Sequence, residues 1–334
     1  MPVTAYLYDT DGHDREVELS PETLGCIGEQ HLLWIDIDCR DAADLRWVAG
    51  QLGLEQGSLA TLLGRGETAG VENYGSYSQF FVETAPATVV QDNHGIGRPW
   101  LNRHEGTRLD FVISRKWLLT VHDGTIGFID AFRERDRAET TIGTLSTHDF
   151  AASLLDAHLE AFFEDIARIE QLVDRLDEQA LTSPSSRTLL GRMVTLRRRV
   201  SRLRTSLSAQ RTVFYGLSRP DLQLVTQSGA APHFQVLVGR FERAIDEVEH
   251  ARDLVVGSFE LFATRTAQQT NELVKVLTYL TAVVGICAAV AGIFGMNFET
   301  DFFSTGDAGF YVTIGSLLLT VIIATAIARW RGWL

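Results

Sequence analysis

The 334-residue chain carries 43 acidic and 30 basic side chains, a formal net charge of −13 at pH 7. So acidic a chain is a poor binder of polyanions, which argues against nucleic acid as a partner. Three cysteines, Cys26, Cys39 and Cys287, have no metal-site spacing and make no disulfide framework, as expected of reduced cytosolic thiols.

Residues 1–147 mix strand and helix signals and are expected to form a cytoplasmic α/β domain. Short apolar runs at 3–8, 32–37, 79–83, 109–113 and 117–121 have strand length, and 41–52 has helical spacing with Ala43, Trp47, Val48 and Leu52 on one side. The N-terminus lacks the basic and apolar regions of a signal peptide, so this domain is expected to stay in the cytoplasm. Asp36 and Asp38 alternate with Ile35 and Ile37. They therefore share a strand face, read as solvated or as cation-binding at a subunit boundary. No phosphate-binding glycine loop, GxSxG or HExxH occurs. His94 and His104, and His148 and His158, are ten apart, too far for two ligands of one metal on one helix. Neither an enzyme nor a resident cofactor is expected.

From about residue 148 the period becomes helical. Leu155, Leu159, Phe162, Ile166, Ile169, Val173, Leu176 and Ala180 are spaced alternately by four and three, a seam repeating every seven residues. After a break at Thr182-Ser183-Pro184, Leu189, Met193, Leu196, Val200, Leu203, Leu207 and Phe214 repeat it, with Gln210 in a polar slot. Residues 151–182 are net −6 and residues 183–220 net +9, so an antiparallel helix hairpin over 148–219 is expected. A third seam, Phe234, Val238, Phe241, Ile245, Val248, Val255, Phe259 and Phe262, places Arg252 in its one polar slot. No proline follows Pro232. One helix of about 60 residues, ~90 Å long, is therefore expected from about His233 to Phe294, its stalk at 233–274 continuing into the first apolar run.

Two uncharged runs, 276–298 and 308–328, each suffice to cross a bilayer. Between them lie nine residues containing Glu299, Asp301 and Asp307. A helical hairpin satisfies backbone groups that lipid leaves without partners. The expected spans are 275–297 and 308–328, with a connector at 298–307 and a basic tail at 329–334. Lys275, Arg329 and Arg331 place both termini in the cytoplasm and the all-acidic connector outside. In the first run Asn271, Val274, Thr278, Thr281, Gly285, Ala288 and Gly292 share one face. This mostly small or polar face suits close helix packing or a narrow wet path. One such helix cannot enclose a pore, so conduction demands several copies about an axis.

The run ends in Phe294-Gly295-Met296-Asn297. Together with TNELVKVLT (270–278), AGIFGMNFE (291–299), a second membrane run and the terminal ARWRGWL, this GMN resembles the CorA family of divalent-cation channels. RLDFVISRKWLLTVHDG resembles the hairpin near the end of that family's cytoplasmic domain, and VENYGSYSQFFVE an earlier strand pair. The resemblance implies a homopentamer in the inner membrane carrying Mg²⁺, Co²⁺ or Ni²⁺ as cargo. It implies a filter of Gly295, Met296 and Asn297, with the Asn297 amide oxygen meeting the hydrated ion. Asn271 becomes a polar ring at the inner mouth, Val274 and Leu277 an apolar gate, and Glu260 an acidic ring below the pore. Thr278, Thr281, Gly285 and Ala288 line the pore, and Glu299, Asp301 and Asp307 gather cations outside. Four departures stand beside this. Phe294 replaces the usual tyrosine, the connector lacks MPEL, Gly285 and Ala288 replace larger or more polar residues, and Val236 and Gly239 occupy the positions of an acidic Mg²⁺-sensing pair. The alternatives are a zinc transporter of the ZntB branch, with or without proton coupling, and a membrane-anchored scaffold or sensor.

Overall fold

The computed structural model describes residues 3–9, 14–25, 27–28, 31–65, 70–85, 106–135, 142–182, 187–219, 225, 228–296 and 306–332. The chain divides into two units, Met1–Leu176 with Leu190–Gly257, and Asp177–Leu189 with Ser258–Leu334.

The first unit holds a seven-stranded sheet of β1 (Val3–Asp9), β2 (Arg15–Val17), β3 (His31–Ile37), β4 (Glu72–Asn73), β5 (Tyr77–Glu83), β6 (Arg108–Ser114) and β7 (Trp117–Val121). The strand order is β2-β1-β3-β7-β6-β5-β4. Only β3 and β7 pair in parallel, with Ile35 opposite Leu119. The expected strands are all present, and β4–β5 and β6–β7 are the antiparallel pairs that the family resemblance implied. The short helices α1 (Pro21–Gly25) and α3 (Gln56–Ala60) flank α2 (Ala42–Leu52). Asp41 caps α2 by accepting from the Ala43 and Asp44 amides, and Gly53 closes it in the left-handed conformation at φ 68°. Leu33, Ile35 and Ile37 bury against Leu45, Val48 and Leu62 on this side of the sheet.

The opposite face of β3 corrects one expectation. Asp36 is fully buried, because α4 (Gly127–Arg135) and the start of α5 (Thr147–Thr182) cover that face. Its carboxylate accepts from Thr120 and pairs with Arg133, while His122 Nε2 lies 3.3 Å away. Trp34 Nε1 donates to the Thr120 hydroxyl at 2.9 Å, and the Trp34 and Phe150 rings meet edge to face 5.4 Å apart. The carboxylate is thus a buried, paired anchor of the sheet, and the face is not solvated.

The bundle of the first unit is formed by α5, α6 (Arg187–Ala209), α7 (Arg211–Leu217) and the first part of α8 (Ala231–Phe294). Every seam residue expected on α5 and α6 is buried. Asp165 pairs with Arg199 and His158 Nε2 donates to Gln210 Oε1 at 2.8 Å, so α5 and α6 run antiparallel as the charge pattern predicted. Gln210 also donates to the Glu83 carbonyl at 2.9 Å, tying the bundle to β5. Along α8 the expected seam is right at Phe234, Phe241, Val248 and Val255 and off by one between them. Leu237, Ala244, Ala251 and Ser258 are buried, whereas Val238 and Ile245 are half-buried and Arg252 is exposed. Small Ala244 and Ala251 let the helices approach closely, and the bulkier neighbours sit at the rim.

Ala251→Leu overfills the bundle and costs about 1–3 kcal/mol. Arg252→Leu, on the exposed side, changes stability by less than about 0.5 kcal/mol. Thermal unfolding of the two variants reverses in order if Arg252 holds the seam. Burial pushes His158 down to about 4, below its unfolded value of ~6.5. Its contribution is therefore complete above ~6.5 and is lost as pH falls toward 4. His158→Gln should shrink the stability difference between pH 7 and pH 5 by roughly 2 kcal/mol, read by chemical denaturation at both pH values. An unchanged difference refutes a neutral buried imidazole.

Candidate functional site

The second unit contains α8 from Ser258 onward and α9 (Gly306–Trp330). Both helices are long and apolar enough to cross a membrane. The expectation of one unbroken helix into the first apolar run holds, since α8 ends at Phe294.

Exposure along α8 separates two faces. Tyr279, Val283, Cys287 and Val290 are half-buried, while Asn271, Val274, Thr278, Thr281, Gly285, Ala288 and Gly292 are exposed. At about 100° per residue the two rows lie roughly half a turn apart. On α9 the covered row is Gly309, Thr313, Leu317, Val321, Thr325 and Ala328. Tyr279 Oη lies 2.6 Å from Thr325 Oγ1, linking the covered faces of the two helices. The face of α8 that the sequence marked as small and polar therefore lies opposite the covered row and is left free by α9, as are the apolar flanks at Leu277, Leu280 and Val284. Leu277 sits at its edge, and Glu260 lies exposed below it on the same helix.

The hydroxyls on the free face have a fixed polarity. Thr278 donates to the Val274 carbonyl at 2.7 Å and Thr281 to the Leu277 carbonyl at 2.8 Å. With each proton committed to the helix, the oxygen presents lone pairs outward. At the helix end, the Gly295 amide donates to the Ala291 carbonyl at 2.9 Å. Gly295 does not take the left-handed conformation. A Cβ there would sit 3.2 Å from the Ala291 oxygen, so close approach is what favours glycine. Met296 is exposed; Asn297, Glu299 and Asp301 lie outside the described residues. Asp307 is in the first turn of α9, where the helix dipole also favours a carboxylate. Val236, 64% exposed, and Gly239 lie on the surface of α8 with no side-chain ligand to offer.

Sequence reasoning missed two features. The Tyr279–Thr325 link joins residues 46 apart, and only a tyrosine in one apolar run and a threonine in the other hinted at it. A cleft of about 1440 Å³ in the first unit, lined by the turn after β7, α4, α5 and α8, had no signal in any motif. Its acids are largely paired: His233 with Asp149 at 2.6 Å, and Arg240 with Asp156 at 2.8 Å and Glu160 at 2.5 Å. Among the described residues no three His, Cys, Asp or Glu side chains are grouped to hold a metal ion.

Residues 29–330 match the family described as CorA-like Mg²⁺ transporter protein. The chain belongs to the CorA family. The cobalt/magnesium transport protein CorA of Thermotoga maritima is 26% identical over 235 residues, covering 70% of this chain and 66% of that protein. Its counterpart from Methanocaldococcus jannaschii is 23% identical over 68% of this chain and 72% of its own length. The complete structure of the CorA magnesium transporter from M. jannaschii superimposes with a TM-score of 0.77 at 19% identity, over 100% of this chain and 99% of that one. The ZntB cytoplasmic domain from Vibrio parahaemolyticus gives 0.61 at 9% identity, over 80% of this chain and all of that one. The fold of this CorA family member is thereby shown: among the described residues, an α/β domain followed by a long helix and a second apolar helix.

Proposed function

We propose that the protein is a homo-oligomeric membrane channel that passes divalent cations, Mg²⁺ first among them, down their electrochemical gradient. The observation that carries this reading is the free face of α8, uncharged from Val274 to Gly292, turned away from α9 and leading to Gly295-Met296. A hairpin serving only as an anchor has no use for a polar stripe on the face its partner helix leaves open. The named functions of the Thermotoga and Methanocaldococcus relatives, cobalt and magnesium transport, support the choice of cargo.

In this mechanism the ion keeps most of its water. Mg²⁺ sheds its hydration shell reluctantly, and a ring of neutral Asn297 oxygens binds that shell firmly enough to select and loosely enough to release. Glu299, Asp301 and Asp307 raise the cation concentration at the outer mouth. Thr278 and Thr281 offer oxygens on the way inward, and Asn271 and Glu260 meet the ion at the cytoplasmic end, with Val274 and Leu277 as the apolar constriction. Both termini lie in the cytoplasm, on the side of Lys275, Arg329 and Arg331. The ZntB-like zinc reading draws on Phe294 and on the absence of acids at Val236 and Gly239. Metal-resolved flux into proteoliposomes, with and without a pH gradient, separates the two cargoes.

Asn297→Ala should abolish selective Mg²⁺ uptake with assembly and thermal stability unchanged, since one lost acceptor per subunit in a confined ring costs about 1–3 kcal/mol each. Asn297→Asp should bind cations more tightly and pass them more slowly. Normal ²⁸Mg²⁺ flux in Asn297→Ala rules out the filter assignment. The subunit count is tested separately by mass measurement of the protein extracted in mild detergent. Five copies are expected, and a monomer or dimer argues against any channel.

A further inference from the structure

We infer that Tyr279 is a positioning residue of the channel, holding the rotation of α8 against α9 so that the polar stripe faces the ion path. The inference rests on the proposed reading of α8 as pore-lining. The geometry around Tyr279 assigns every proton. Thr325 Oγ1 lies 2.7 Å from the Val321 carbonyl and 2.6 Å from Tyr279 Oη. A carbonyl only accepts, so the threonine proton goes to Val321 and the proton between the two hydroxyls comes from Tyr279. The result is a directed chain from Tyr279 through Thr325 to the backbone of α9.

Such a bond does in a membrane what the rest of the interface does poorly. Val283, Cys287 and Val290, on the same half-buried row of α8 as Tyr279, have apolar or small side chains. Lipid tails are as apolar as these side chains, so burying them specifies rotation only weakly. A phenol hydroxyl among apolar neighbours has few partners, and the bond to Thr325 exists at one azimuth only. The setting matters because the stripes beside the polar one are so different. A turn of about 100° one way brings Leu277, already at the edge of the stripe, together with Leu280 and Val284 in place of Thr278, Thr281 and Gly285, which lengthens the apolar constriction into a greasy wall that closes by dewetting. Tyr279 stands at the level of Leu277 and Thr278, where that exchange would act first.

The protonation chain also makes the test clean. Tyr279→Phe keeps the ring and removes the donor, and Thr325 loses no partner for its own proton, so no orphaned donor is created. In a full-length background with Cys26, Cys39 and Cys287 replaced by alanine, single cysteines at Thr281, Gly285 and Val284 are modified in proteoliposomes by a water-soluble methanethiosulfonate. With Tyr279 present, the cysteines at 281 and 285 should react faster than that at 284. Tyr279→Phe and Thr325→Val should each reduce this contrast roughly three- to tenfold, the scale of one interhelical hydrogen bond, and Thr325→Ser should restore it. An unchanged contrast in Tyr279→Phe overturns the positioning role and leaves the pore reading standing. Loss of contrast in Thr325→Ser equal to that in Thr325→Val overturns it too, since side-chain volume would then be the cause. Equal rates at all three positions with Tyr279 intact overturn the pore reading itself.

Discussion

Backbone amides in hydrocarbon have no water to turn to, and α8 answers this by staying helical without a break through its apolar run to Phe294. Once a helix cannot bend, kink or loop, the azimuth of each side chain about its axis is what remains to be specified. Within the second unit α9 takes the row from Tyr279 to Val290 and thereby defines the opposite row by exclusion. The helix closes at Phe294, and Gly295 lets the chain pass close to the Ala291 carbonyl, two residues before Asn297 in sequence. The unbroken helix and the free stripe are thus two consequences of one constraint.

Charge in the first unit is handled differently from charge in the membrane runs. The acids of α5 and the arginines of α6 attract as groups, yet the pairs that form are divided among three helices. Asp165 goes to Arg199, Asp156 and Glu160 go to Arg240 on α8, and Glu249 of α8 goes to Arg204 on α6. Apart from the buried Asp165–Arg199 pair, these pairs are solvent-accessible and contribute little singly, but their opposite signs reject most alternative pairings of the helices. Deeper in the sheet, Asp110 is fully buried between Arg40 at 2.6 Å and Arg108 at 2.8 Å. Burial raises its carboxyl above the ordinary value, with both guanidinium groups opposing. Removing either arginine leaves the buried carboxylate with one cation instead of two, so these pairs fix the domain's arrangement more than they add net stability.

Much of this was legible in the sequence because it is periodic. The seams of α5 and α6 are heptads of large apolar residues, and size and spacing agree there. On α8 they disagree: Ile245 is larger than Ala244, yet the bundle buries the alanine because close helix approach favours small side chains. A 4,3 pattern read by size alone slips by one residue wherever the true seam is small. Asp36 misled for a related reason. Alternation places it on a face, but what covers that face is decided by Phe150 and Arg133, about a hundred residues away in sequence, and no local pattern carries that. The stripe from Asn271 to Gly292 was legible because it needs no partner to define it. The covered row carries no such signal: Val283 and Val290 are half-buried and Leu280 and Ile286 exposed, although all four are large and apolar.

Under the proposed function, a pore without formal charge must still distinguish cations from anions, and the threonines of α8 suit that task. A hydrated cation turns the hydrogens of its water outward, and a hydrated anion turns lone pairs outward. Thr278 and Thr281 have given their protons to the helix carbonyls four residues back, so what they present is acceptor oxygen. Such a wall accepts hydrogen bonds from the shell of a cation and offers none to the shell of an anion. Sign selection then follows from hydroxyl orientation and needs no carboxylate. A wall of neutral oxygens also lacks the deep electrostatic well in which a divalent ion would be held. Under the proposed function, selectivity and release come from the same choice of side chain. Stronger charge belongs at the two mouths, where Glu260 on one side and Glu299, Asp301 and Asp307 on the other can concentrate ions without trapping them between.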